Sequence, residues 1–149
     1  MTESAAQVSK TIDAPPEAVW KALTNPSSLK QFFFGADVES DFKVGHPIRM
    51  KGSFKGKSYE DKGEILEVKP NARLSFSHWS AMSGTVDAPQ NYHVVCLDLA
   101  PHSDGTNVTL TQGNLMGGLT DSDRKHKSEY EKNWRMLLDG LAKVVTKMG

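Results

Sequence analysis

Apolar and polar residues alternate in short runs through the middle of the chain, then change to a helical spacing near its end. From Asp121 to Met148 the apolar positions are Tyr130, Trp134, Leu137, Leu138, Leu141, Val144, Val145 and Met148. Lys125, Lys132, Arg135, Asp139, Lys143 and Lys147 fall between them. This spacing predicts a single long amphipathic helix over 121–148, capped by Thr120 or Asp121. Upstream, 7–13 alternates as a strand, and Pro15-Pro16 opens a short helix over 17–23. Asn25-Pro26 ends that helix, and a capping serine starts a second over 27–33.

Alternation then predicts strands at 36–44, 47–54, 59–68, 73–80, 91–100 and 106–114. Gly45-His46-Pro47, Lys55-Gly56-Lys57, Pro70-Asn71, the loop 81–90 and Ser103-Asp104-Gly105 punctuate them. Short connections favour an antiparallel meander. A long helix following strands must bury its apolar stripe against their sheet, so the class is α+β, with a seven-stranded sheet wrapped on one helix.

Cross-strand arithmetic extends this to a surface. If Ser80 lies opposite Asn91, His78 faces His93, Phe76 faces Val95 and Leu74 faces Leu97. Closing the next hairpin at Ser103-Asp104-Gly105 sets Leu97 by Leu110, Val95 by Gln112 and His93 by Asn114. One face then carries the rows Leu74–Leu97–Leu110, Phe76–Val95–Gln112 and His78–His93–Asn114. The rows grade from apolar to polar toward loops 81–90 and 115–120. Unpaired polar groups in a solid core cost about 1–3 kcal/mol each. The gradient therefore predicts a cavity, dry at its base and wet at its mouth. The same register puts Ile48, Met50, Phe54, Tyr59, Asp61, Gly63 and Ile65 on this face, with Gly52 and Gly63 leaving space. It also turns Leu66 and Val68 outward, which calls for a bulge near Pro70 or a different register. The opposite parity, with Tyr92, Val94 and Cys96 inside, is the competing reading.

The chain has 149 residues with 18 basic and 18 acidic side chains, a formal net charge of zero. That length suits one domain, 1–149, with a true core. The balance argues against a nucleic-acid partner, and no apolar run has the length of a membrane span. The start lacks the apolar region of a secretory signal and Cys96 is the only cysteine, so a reducing cytoplasm is expected. No metal or cofactor motif is present: HExxH and CxxC are absent. Gly52–Ser58 has one residue too few for a phosphate loop and reads as a hairpin. There is no GxSxG elbow, and Cys96 lacks an electropositive setting.

Ile12-Asp13-Ala14-Pro15-Pro16-Glu17-Ala18-Val19-Trp20-Lys21-Ala22-Leu23-Thr24, the Val44-Gly45 turn, Lys62-Gly63-Glu64-Ile65-Leu66-Glu67-Val68-Lys69-Pro70 with Arg73-Leu74-Ser75-Phe76, and Asp104-Gly105-Thr106-Asn107-Val108-Thr109-Leu110 occur in that order. Together they resemble the START/Bet v 1-like (SRPBCC) superfamily. Within it, they resemble the group related to the C-terminal domain of the Hsp90 ATPase activator. The resemblance implies a helix-grip fold, with a cavity that in many members holds a lipid, sterol or polyketide. It carries fold better than function, because members include carriers, cyclases and chaperone partners.

Three functions follow as expectations. The leading one is a binder of an apolar or amphipathic small molecule. Its contacts would be Met50, Phe54, Ile65, Leu74, Phe76, Val95, Leu97, Leu110, Tyr130, Trp134 and Leu137, with His78, His93, Gln112 and Asn114 orienting a polar group. Trp79 and Met82 would form a lid or cap the sheet edge, and Phe32-Phe33-Phe34 would close the opposite side. The second is an interaction module for a chaperone such as Hsp90; a Tyr92/Val94/Cys96 row would also suit a weak homodimer. The third is a cyclase- or hydrolase-type enzyme with His78 or His93 as general base, although nothing else in the chain supports catalysis.

Overall fold

The computed structural model describes residues 5–33, 35–54, 56–80 and 84–148, with only the backbone of Phe54, Lys147 and Met148. Strand β1 (Ala6–Ile12) leads into helices α1 (Pro16–Leu23) and α2 (Pro26–Phe32). Strands β2 (Asp37–Glu39), β3 (Pro47–Phe54), β4 (Lys57–Lys69), β5 (Arg73–Ser80), β6 (His93–His102) and β7 (Gly105–Asn114) follow, then α3 (Asp121–Met148). The strands form one curved antiparallel sheet of seven in the order β1-β7-β6-β5-β4-β3-β2. This is the helix-grip arrangement.

Several boundaries differ from the sequence reading. The cap of α2 is Asn25, whose side-chain oxygen accepts from the Ser27 and Ser28 amides at 2.9 and 3.3 Å, with Pro26 in the first turn. The serine therefore lies inside the helix, and Asn25 is the stronger cap at its true start. The strand expected over 36–44 stops at Glu39. Ser40 and Asp41 turn the chain instead, because their side chains accept from the amides of Phe42 and Lys43 at 3.0 and 3.2 Å. Strand β6 begins at His93 because 89–91 form a single 3-10 turn.

The central register is as expected. His78 pairs with His93, Phe76 with Val95 and Leu74 with Leu97. Leu97 pairs with Leu110, Val95 with Gln112 and His93 with Asn114. Leu74, Phe76, Val95, Leu97 and Leu110 are buried, so this face is the inner one. The competing parity is overturned: Tyr92, Val94 and Cys96 lie half-buried on the convex side.

A bulge in β4 resolves the conflict at Val68, and Leu66, half-buried, is the residue that the pairing skips. The pairing shifts by one residue between Ile65 and Glu67, earlier than Pro70, and sets Val68 opposite Leu74. One extra residue flips everything beyond it, so Val68 packs on the core.

Leu137, Leu138, Leu141, Val144 and Val145 of α3 are buried, and α3 packs against β1, α1 and α2. Gly140 lets α2 approach, since a Cβ there would lie 2.9 Å from the Phe32 Cβ. At the sheet margin, the Glu131 carboxylate accepts the Gln7 amide of β1 at 3.0 Å.

Candidate functional site: an apolar hollow and a polar plug

A hollow of about 20 Å³ remains between the sheet and α3, enough for about one water molecule. Its walls are carbon. Met50, Leu74, Phe76, Val95, Leu97 and Leu110, anticipated from the alternation, line it with Trp134 and Leu137, anticipated from the helical stripe. So do Ile48, Phe32 and Phe33. Leu23, Leu29, Val38 and Phe42 complete the wall and were missed. Their contribution depends on how the short helices and the 40–46 turn dock, and on the pairing of β2 with β3 that sets Val38 opposite Met50. A water would find no polar side chain here, so the hollow is dry.

The expected space at Gly52 and Gly63 is filled. A Cβ at Gly52 would lie 2.6 Å from the Tyr59 hydroxyl oxygen, so the tyrosine ring occupies that gap. At Gly63 a Cβ would overlap the Ser77 carbonyl. The Ser77 hydroxyl also accepts the Glu64 amide at 2.9 Å, and the two strands close tightly there.

Phe42 enters the wall in an unusual way. Its φ is +56°, in the left-handed region, which costs a residue with a Cβ about 1–2 kcal/mol. The turn around it compensates. The Ser40 hydroxyl accepts the Phe42 amide, and the Asp41 carboxylate accepts from the Lys43 amide and, at 2.6 Å, from His46 Nδ1. The bond from His46 holds the Asp41 carboxyl below its ordinary value. Backbone bonds of 2.8 Å from Gly45 to Ile65 and 2.9 Å from Ile65 to His46 tie the turn to β4.

The polar row lies outside the hollow. Between the two, the Trp134 indole N–H donates to the Gln112 side-chain oxygen at 2.6 Å. Beyond it, Asp123 in the first turn of α3 gathers the end of the sheet. Its carboxylate accepts from His93 Nε2 at 3.2 Å, Asn114 Nδ2 at 2.6 Å and the Thr120 amide at 2.9 Å. The Asp123 amide donates back to the Thr120 hydroxyl at 3.0 Å, which completes a reciprocal cap. The Tyr130 ring meets His93 edge-on, with centroids 5.9 Å apart. The expected wet mouth is therefore a plug: Asp123 at the helix terminus holds His93 and Asn114, Trp134 holds Gln112, and Asp61 of β4 holds His78.

His78 Nε2 donates to the second carboxylate, Asp61 Oδ2, at 2.9 Å, while buried Asp61 Oδ1 has no partner among the described residues. The bond from His78 ties β5 to β4 at the edge of the polar row. Neither histidine lines the hollow, nor do Ile65, Gln112, Asn114 or Tyr130. The Phe54 side chain, Phe34 and Met82 lie outside the described residues. Trp79 sits on the convex side, stacked on Tyr92 at 6.3 Å. Burial pushes the Cys96 thiol up to about 11, so it is protonated at neutral pH. Among the described residues no cluster of three or more His, Cys, Asp or Glu side chains could hold a metal ion. No described helix is long and apolar enough to cross a membrane.

Burial alone would raise the Asp123 carboxyl, but the Thr120 amide, Asn114, His93 and the Thr120 hydroxyl outweigh it and hold it below 3.8. A carboxyl lowered by folding stabilises fully above its unfolded value and loses that contribution as pH falls through the folded one. The urea midpoint of the native chain should exceed that of Asp123→Asn most clearly near pH 6. The gap should narrow below about pH 3.8. A gap that stays constant down to pH 2 would contradict the assignment.

A sequence profile of the family described as Activator of Hsp90 ATPase homolog 1-like protein matches residues 13–146. The chain belongs to this family. A solved member of the same fold, ChR145 from Cytophaga hutchinsonii, is 43% identical, with a TM-score of 0.75 over 96% of this chain and 94% of that one. MLL2253 from Mesorhizobium loti is 23% identical, with a TM-score of 0.75 over 96% and 97% of the two chains. CV1439 from Chromobacterium violaceum is 23% identical, with a TM-score of 0.72 over 93% and 94%. The last two likenesses extend to the fold alone. No protein of curated function matches the chain.

Proposed function

We propose that this domain of the Hsp90-activator-like family binds a small apolar molecule between the sheet and α3. The supporting observation is the hollow itself, walled by carbon where the sheet and helix fail to meet. Met50, Leu74, Phe76, Val95, Leu97, Leu110 and Leu137 would form its fixed wall. Trp134 and Gln112 would supply the nearest polar atoms for an amphipathic ligand. His78, His93 and Asn114 would act beyond them, orienting a longer ligand that parted the plug. A volume of about 20 Å³ is too small for any such ligand. Binding therefore requires the wall of α2, β2 and the 40–46 turn to move outward.

The small volume favours a second reading, an interaction module for a chaperone. Val86, Leu115 and Met116 are 67%, 40% and 68% exposed, and would supply its apolar contacts. One experiment separates the two. Naphthalene added to protein with labelled methyl groups should shift Leu74, Leu97 and Leu110 in a saturable way, whereas the Hsp90 middle domain should leave them unchanged. Silence from naphthalene with specific shifts at Leu115 and Met116 on adding the chaperone would reverse the assignment.

A further inference from the structure

We infer that Phe42 is a built-in occupant of the ligand site, holding the place of an uncharged aromatic or alicyclic ring. This rests on the ligand-binding reading above and assigns its ligand class and its gate. Three aromatic side chains close the outer wall of the hollow, and they are held differently. Phe32 is held close against α3, its Cβ only 2.9 Å from where a side chain at position 140 would begin. Phe33 packs edge-on against Trp134, with centroids 6.5 Å apart and planes at 65°. Phe42 alone among the three sits on a left-handed backbone, at φ +56°.

Strain of this kind persists only where the surroundings impose it. Here they do so with replaceable bonds. The Asp41 and His46 side chains are 48% and 51% exposed, so water can take over their partners when the turn opens. The pairing of Gly45 and His46 with Ile65 leaves a hinge on β4, and Gly45 at φ +85° stands beside it. Turning Phe42 outward would relax its backbone and add the volume of a six-membered ring to the hollow.

The chemistry of the vacated space selects its occupant. Leu, Ile, Val, Met and Phe carbons surround it, and no charged side chain lines it. An ionised group would lose its hydration there without replacement. The ligand class is therefore a neutral ring rather than a carboxylate-bearing chain.

Naphthalene and octanoate test this on the native chain and on Phe42→Gly. In the native chain, saturating naphthalene should move the Leu97 and Leu110 methyls. It should also carry the Phe42 Cα and Cβ shifts from left-handed toward extended values. Phe42→Gly removes both ring and strain, so it should bind naphthalene about tenfold more tightly, the factor by which a closed gate weakens the native site. Phe42→Ala supplies the same comparison if the glycine variant does not fold, and the native-chain shifts stand without either. Octanoate should bind about tenfold more weakly than naphthalene or not at all.

The gate is overturned if the Leu97 and Leu110 methyls respond while Phe42 stays left-handed, or if its removal gains no affinity. Tighter binding of octanoate overturns the ligand class. If naphthalene moves no methyl in any variant, the gate and the ligand-binding reading fail together.

Discussion

Asp123→Ala is expected to destabilise the chain by about 3 kcal/mol, a fall in Tm on the order of 10 °C for a domain of this size. The size follows from how many groups this carboxylate serves. Its side chain is 3% exposed, and it accepts from His93, Asn114 and the Thr120 amide. Loss of a helix cap costs about 1 kcal/mol. Leaving buried donors without an acceptor adds about 1–3 kcal/mol. His93→Ala removes a single, partly exposed partner and should cost about 1 kcal/mol. Chemical denaturation of both variants checks the ranking. If Asp123→Ala proves no more damaging than His93→Ala, the plug is a surface cluster and not the fastening of α3 to the sheet.

Gly63→Ala should cost about 3 kcal/mol, at the upper end for overpacking. The new methyl would coincide with the Ser77 carbonyl, and a strand backbone cannot step aside without breaking the β4–β5 ladder. Gly52→Ala is the control. The atoms it meets belong to the free end of the Tyr59 side chain, which can rotate away, so its cost should be about 1 kcal/mol. Thermal melts of the pair, with amide exchange at Ile65 and Phe76 as a local probe, distinguish the two sites. Equal losses would mean that the close approach of β4 and β5 relaxes more freely than its geometry indicates.

The central rows were legible because the turn at Ser103-Asp104-Gly105 and the alternation of β5, β6 and β7 leave only two parities. Burial of Leu74, Phe76 and Val95 selects between them. The bulge was visible only as a contradiction: Leu66 and Val68 pointed the wrong way, and nothing in their types says which residue slips. β2 was overestimated because Val38, Ser40 and Phe42 continue a strand-like pattern, while the Ser40 and Asp41 side chains bond the local backbone.

For the candidate site, the wall carried by strands was readable, since strand parity fixes direction. The part supplied by Leu23 and Leu29 was not, because how helices dock leaves no trace in their spacing, and Phe42 lies beyond the end of β2, where alternation no longer fixes direction. The polar row was identified correctly as a set of neighbours. Its role as a plug depended on Asp123, a first-turn acidic residue whose pairing with Thr120 was within reach of the Thr-x-x-Asp spacing.

The contact between Glu131 and the Gln7 amide has a consequence beyond the single molecule. A bare strand margin offers a template on which another polypeptide can add itself, and repetition of that step gives fibrils. In this chain a carboxylate from the terminal helix occupies an outward amide of the first strand. The opposite margin is a strand of only three residues bearing Asp37 and Glu39. Both rims of the sheet thus discourage recruitment of a neighbour, one by occupation and the other by brevity and by charged side chains, Asp37 and Glu39 being paired with Lys30 and Lys51.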